Sequence, residues 1–410
     1  MTTFKQEALQ YKSCPKLDEE HSAPITTLSF NREGSLLACG GEDGKITFWR
    51  VSDGKLLHVL QSSKETAISC LSWLNENQLV AGSTMGFVFC VTITENEIKC
   101  LLIVTGHSSV LSSIDANDNS TQCATSAADE IVIWTHKNGT TWIVSRILDS
   151  PPRGVDDGDA PINVVSMRWS YRPNVLAVSY AHHGIVLWDI SDGSTIQTIN
   201  QNGANISLSP SPGPGSSKEL MAVSTSPRGV NLYDVGKNGA LVGKLSSKSG
   251  RKDTSSLTGP CPVAFIHGGE AVISGNPSGH APIWDVETRN TVQHLRHDNP
   301  ITNLSVHYNK DADIFYVASV QTLKQELNRS EVTIWKTVDI TRSTRGVERK
   351  NNPFVAGFGF FGGVALAIGV AIAIFTLTHV AYHDVGFYSG VGLVALGIIT
   401  GCIGLIVNLF

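Results

Sequence analysis

One pattern returns seven times along this chain, at intervals of about forty to fifty-five residues. An apolar run, a tight polar turn and a second apolar run end on an aromatic or equivalent residue. The copies are LLACGGEDGKITFW ending at Trp49, LVAGSTMGFVFC ending at Cys90 and CATSAADEIVIW ending at Trp134. LAVSYAHHGIVLWD carries Trp188 and Asp189, MAVSTSPRGVNLYD carries Tyr233 and Asp234, and AVISGNPSGHAPIWD carries Trp284 and Asp285. The last, YVASV…SEVTIW, ends at Trp335. Each copy reads as two strands around a turn rich in Gly, Asp, Asn and Ser. A further apolar strand precedes every pair, and another follows the first six: LLHVL, KCLLIV, WIVSRI, TIQTI, LVGKL and TVQHL. Four strands per unit and seven units make an all-β body.

This recurrence resembles the WD-repeat β-propeller family over residues ~4–340, judged against a blade period of ~40–45 residues. The resemblance implies a seven-bladed propeller over residues 1–340. The literal W-D dipeptide stands only at Trp188-Asp189 and Trp284-Asp285, with Y-D at Tyr233-Asp234. In this family a His before the first strand and an Asp in the turn before the Trp join a buried hydrogen-bond network. The resemblance therefore assigns His21, His107 and His297, with Asp43 and Asp129, to networks that hold blades together. It also implies ring closure by an N-terminal strand, because the seventh copy lacks its outer strand. Residues 4–11 are expected to pair with the strand at 329–336, removing an exposed sheet edge.

Residues 351–410 carry a single charged side chain, Asp384. Two uncharged apolar stretches, 353–382 and 385–410, each exceed the ~20 residues that a spanning helix needs. They predict a C-terminal α-helical transmembrane hairpin, turning near His379, His383 and Asp384. Gly359 and Gly363, Gly386 and Gly390, and Gly397 and Gly401 stand four apart, a spacing that lets helices approach closely in lipid. The hairpin itself is the expected user of these pairs, with a homo-oligomer left open. Residues 341–352 form a basic linker, and Arg342, Arg345, Arg349 and Lys350 favour the cytoplasmic side. The propeller is thus expected in the cytosol of an integral membrane protein, at the endoplasmic reticulum or another endomembrane before the mitochondrial outer membrane. Sequons at Asn119, Asn138, Asn205, Asn303 and Asn328 are then expected to stay unused.

A net charge of −5 gives no field for nucleic acid. The eight cysteines show no C-x-x-C spacing and read as small apolar residues. No nucleophile–base pair, phosphate-cradling loop, metal set or cofactor motif is visible, so catalysis, a metal and a cofactor are not expected. The expected role is a membrane-anchored scaffold whose top face docks a cytosolic protein or peptide. Arg172, His182, His183, Arg228 and His280 are candidate contacts by turn position. The alternative is a GTPase exchange factor, because the architecture looks like the endoplasmic-reticulum exchange factor for the Sar GTPase. The long loops at 149–160, 209–218 and 246–259 read as solvated surface, and 246–259 as a possible regulated segment.

Overall fold

A computed structural model describes residues 9–339, apart from 15–16, 18–19, 63–65, 95–96, 105–106, 138–140, 153–158, 211–218, 226–228, 247–260 and 324–328. Seven four-stranded antiparallel sheets follow one another around a ring. Blade 1 is Ile25–Phe30, Leu36–Gly41, Lys45–Arg50 and Leu56–Gln61; blade 2 is Ile68–Trp73, Gln78–Ser83, Val88–Ile93 and Ile98–Val104. Blade 3 is Leu111–Ala116, Gln122–Ala127, Glu130–Lys137 and Thr141–Leu148; blade 4 is Val164–Trp169, Val175–Tyr180, Ile185–Asp189 and Ser194–Ile199. Blade 5 is Ile206–Leu208, Leu220–Thr225, Gly229–Asp234 and Ala240–Ser246; blade 6 is Val263–Ile266, Ala271–Ser274, His280–Asp285 and Thr291–Arg296. Blade 7 takes Ile301–Asn309, Ile314–Thr322 and Ser330–Asp339 from the end of the ring and Leu9–Ser13 from its beginning.

This up-and-down order gives the ring two unlike faces. Connections between second and third strands, and between blades, form the upper face. Turns between first and second strands, and between third and fourth, form the lower face.

Burial follows radius. The second strand of each blade lies between two neighbouring sheets and reads as a continuous apolar run, as a strand covered on both sides should. VLAVSY in blade 4 is buried at every position, whereas the outer TWIVSRIL of blade 3 is mostly exposed. The core is a series of seams between blades. Ile131 and Ile133 of blade 3, for example, meet Met167, Leu176, Val178 and Tyr180 of blade 4.

The innermost strands present a free backbone edge, and the sequence supplies hydroxyls to cap it. Ser305 Oγ accepts from Phe30 N at 3.1 Å, Ser72 Oγ from Ala116 N at 3.1 Å and Ser113 Oγ from Met167 N at 3.1 Å. Ser207 Oγ accepts from Phe265 N at 3.2 Å. Asp115 plays this part for Trp169 N at 2.7 Å. Each cap crosses from one blade to the next, so one short polar side chain satisfies a buried donor and fixes the seam.

Ring closure occurs as expected, in a different register. Leu9–Ser13 pairs antiparallel with 335–339, Leu9 opposite Asp339 and Ser13 opposite Trp335, rather than 4–11 with 329–336. The third strand of blade 7 does not stop at Trp335 but runs ten residues to Asp339, displacing its partner toward the later positions. Tyr11 locks the closure. Its backbone N–H donates to Gln293 Oε1 and its carbonyl accepts from Gln293 Nε2, both at 3.0 Å, while its hydroxyl meets His267 Nε2 at 3.0 Å.

Among the described residues no helix is long and apolar enough to cross a membrane. The spans expected at 353–382 and 385–410, with Gly359, Gly363, Gly386, Gly390, Gly397 and Gly401, lie outside the described residues. So do the basic linker residues Arg342, Arg345, Arg349 and Lys350, and the 246–259 loop but for Ser246.

Candidate functional site

The repeat positions resolve into two kinds of blade. In blade 1, Trp49 Nε1 donates to Thr47 Oγ1 at 2.9 Å, Thr47 Oγ1 meets His21 Nε2 at 3.0 Å, and His21 Nδ1 meets Asp43 Oδ1 at 3.0 Å. The indole can only donate, which leaves the threonine hydroxyl to donate to Nε2 and the imidazole N–H to face the carboxylate. Burial opposes ionisation of Asp43, but the His21 hydrogen bond and the Ser22 and Lys45 N–H groups outweigh it. The carboxyl is held below its usual value.

Blade 3 builds a similar chain, with its hydroxyl on the second strand and a different carboxylate. Trp134 Nε1 donates to Thr125 Oγ1 at 2.8 Å, and His107 spans from that oxygen, at 2.8 Å, to Glu130 Oε2 at 2.8 Å. Glu130, not the expected Asp129, closes the network. Three residues separate the second and third strands in blade 1, and only two do so in blade 3. The shorter turn leaves Asp129 exposed at its tip and brings the longer Glu130, first residue of the strand, under the imidazole. In blade 7, Trp335 Nε1 donates to Ser319 Oγ at 3.0 Å, and His297 Nε2 meets the same oxygen at 2.8 Å.

The two blades with a literal W-D lack this chain. Trp284 Nε1 is buried with no hydrogen-bond partner among the described residues. Trp188 Nε1 has the Tyr180 hydroxyl as a polar neighbour, but neither makes a hydrogen bond of good geometry. Register explains the difference in blades 3 to 7. The hydroxyl slot is two residues beyond the partner of the aromatic residue on the second strand: Thr125 in blade 3, Ser319 in blade 7, Val178 in blade 4 and Val223 in blade 5. In blade 1 the slot holds Cys39, and Thr47 of the third strand supplies the hydroxyl. In blade 6 the slot holds Ser274, whose hydroxyl donates instead to Pro262 O at 2.9 Å. The Asp of W-D serves the following turn. Asp189 Oδ1 accepts from Ser191 N at 2.8 Å, Asp285 Oδ1 from Thr288 N at 2.6 Å and Asp234 Oδ1 from Gly236 N at 3.1 Å. Tyr233 reaches Gln201 Oε1 through its hydroxyl at 3.3 Å.

The five candidate contact residues do not form one surface. Arg172 lies in the turn between the first two strands of blade 4, on the lower face, where its Nε is 2.7 Å from the buried Glu219 Oε2. The turn between a blade's first and second strands faces away from the turn between its second and third, so turn position along the chain does not bring Arg172 to the others. His183 is buried, with Nε2 3.3 Å from Ala160 O. His182 is exposed and His280 half-buried, both at the upper face. Arg228 lies outside the described residues.

On the lower face several polar side chains bridge neighbouring turns. Asn31 Nδ2 donates to Glu76 O at 3.0 Å, Arg32 donates to the carbonyls of Asn117 and Asp118, and Ser170 donates to Glu219. Burial pushes Asp115 up to about 6, with Arg168 only partly offsetting it. Sequence reasoning missed these lower-turn bridges, whose residues look like ordinary turn composition.

Cys39, Cys70, Cys90, Cys123 and Cys261 are buried, and Cys100 is exposed. Burial pushes Cys39 and Cys70 up to about 12, so they pack as neutral thiols. No group of three or more His, Cys, Asp or Glu among the described residues is arranged to hold a metal ion.

The family model described as Vps8 beta-propeller matches residues 4–118, which are the closing strand, blades 1 and 2 and the first strand of blade 3. No curated protein matches the chain. The chain folds as a seven-bladed β-propeller. Neither the match nor the geometry favours an exchange factor.

Proposed function

We propose that this protein is a membrane-anchored scaffold that presents its propeller in the cytosol and docks partner proteins on the upper face. The observation that carries the reading is the contrast between the faces. Lower turns are bridged to one another by Asn31, Arg32, Ser120 and Glu219. Upper turns keep Glu42, Met85, Asp129 and His182 exposed. Polar groups already engaged by the protein have little left for a partner, whereas exposed side chains on rigid turns are suited to recognition.

Anchoring rests on the two uncharged apolar stretches in 353–410, and orientation on the four basic residues before them. Two of the five sequons are engaged in seams, in keeping with a propeller that is never glycosylated. Asn205 Nδ2 donates to Cys261 O and Asn303 Nδ2 to Thr26 O, both at 3.1 Å. We assign the chain no catalytic role and no cofactor.

Protease protection of intact membranes, with an N-terminal tag and carbonate extraction alongside, tests this reading. Digestion of tag and propeller, with the C-terminal fragment kept in the carbonate pellet, is expected. A propeller protected until detergent is added overturns the orientation, and full release by carbonate overturns the anchor.

A further inference from the structure

Blade 2 departs from its neighbours at one turn. It ends on Cys90 rather than an aromatic residue, and its upper turn reads Thr84-Met85-Gly86 where blade 1 reads Glu42-Asp43-Gly44. Gly86 and Gly44 take the same left-handed backbone, with φ of 81° and 72°. Asp43 turns inward to His21. Met85, in the same slot, has no such partner to meet and stands 64% exposed.

The position of Met85 is fixed. A Cβ on Gly86 would lie 2.2 Å from His107 O and 3.1 Å from Ser109 O, so the turn is pressed against the connection into blade 3. That contact sets the Met85 turn against the 107–109 segment, and the next residue, Val110, is 47% exposed. On the blade 3 side, Glu130 holds His107 at 2.8 Å and Asp129 is exposed next to it. On the blade 1 side Glu42 is exposed. Lys45, the cation of these three turns, is drawn aside, its Nζ donating to Glu20 O at 2.9 Å. Two exposed apolar side chains therefore lie on upper segments whose turns also expose Glu42 and Asp129, and Lys45 is the one Lys or Arg among the described residues of the three turns.

We propose that the upper turns of blades 1 to 3 dock a short partner segment in which a Lys or Arg lies one or two positions from a large apolar side chain. This deepens the upper-face reading above and rests on it. The flexible thioether of Met85 packs against varied apolar side chains at small conformational cost. The carboxylates of Glu42, Asp129 and Glu130 complement the basic residue and select against acidic segments.

The test is a random heptapeptide library, displayed on phage, selected against the full chain in lipid nanodiscs and counted against empty nanodiscs. The expected enrichment is a basic residue next to Leu, Ile, Phe or Met. For a synthetic copy of the most enriched peptide, the Met85→Ser/Val110→Ser double variant weakens binding by about tenfold or more, the size expected of a central apolar contact. Asp129→Lys weakens it by about three- to fivefold at low salt, an effect that shrinks as salt screens the charge. These side chains are exposed, so unchanged melting of each variant separates lost binding from lost folding. Acidic enriched peptides, or binding indifferent to these substitutions, overturn the proposal. Binding lost on changing His182 and His280 instead keeps the upper face and overturns this site. No enrichment over empty nanodiscs overturns both.

Discussion

In blades 1, 3 and 7 the aromatic residue of the third strand donates its indole N–H to a hydroxyl that a histidine also reaches. In blades 4 and 6 the same indole is buried without such a partner. The backbones match strand for strand. The difference comes from where a hydroxyl stands, on the second strand in blades 3 and 7 and on the third strand, as Thr47, in blade 1, and from a histidine in the upper connection. Blade stability in this ring therefore has two sources. Network blades add a chain of directional hydrogen bonds from indole to histidine, which blades 4 and 6 lack.

The largest expected effect concerns a histidine outside the networks. Burial lowers His267 from 6.5 to about 4, and Asp313 only partly opposes it. A depressed histidine favours the folded state while neutral. Its stabilisation is therefore present above pH 6.5 and lost as pH falls toward 4, about 3 kcal/mol in all. Urea midpoints measured from pH 7.5 to 4.5 should fall accordingly. His267→Asn, which tolerates the left-handed backbone at φ 53°, should flatten that dependence.

Next comes the network itself. His107→Ala leaves Glu130 without its buried partner and should cost about 2–3 kcal/mol in denaturant unfolding. A loss no larger than that of an exposed histidine such as His182→Ala would erase the distinction between the two kinds of blade.

A hydroxyl can be offered to the apolar blades. Val178→Thr gives Trp188 an acceptor in the slot that Thr125 fills in blade 3, and should change stability by less than about 1 kcal/mol. Val223→Thr in blade 5, where Tyr233 already bonds Gln201, should cost about 1–3 kcal/mol. Equal costs in the two variants would mean that the unpartnered indole carries no penalty.

The smallest contrast lies within one turn. Glu130→Ala should cost about 1–2 kcal/mol and Asp129→Ala less than about 0.5 kcal/mol in the same assay. The reverse order would return the network to Asp129.

Much of the ring was readable because its signals are local. Strand pairs such as LLACGG and KITFWR, with Gly44 between them, state their own pairing. His21 and Asp43 could be matched because the turn of blade 1 has the family's length. Asp129 failed because a turn one residue shorter moves the carboxylate position by one, and spacing alone does not show which carboxyl lies under an imidazole. The lower-face site of Arg172 was missed because facing depends on how many strands precede a turn. Met85 gave no signal at all: a methionine after a threonine and before a glycine is unremarkable until its slot is known to be that of Asp43.

Sequence by itself determined the all-β class, the sevenfold count and closure from the N-terminus, because periodicity and turn chemistry act over a few residues. Long-range packing sets which blades carry a polar network and where the closing strand registers. Those outcomes depend on contacts between residues far apart in the chain, such as Tyr11 with His267 and Arg32 with Asn117. No local pattern encodes the distance between them.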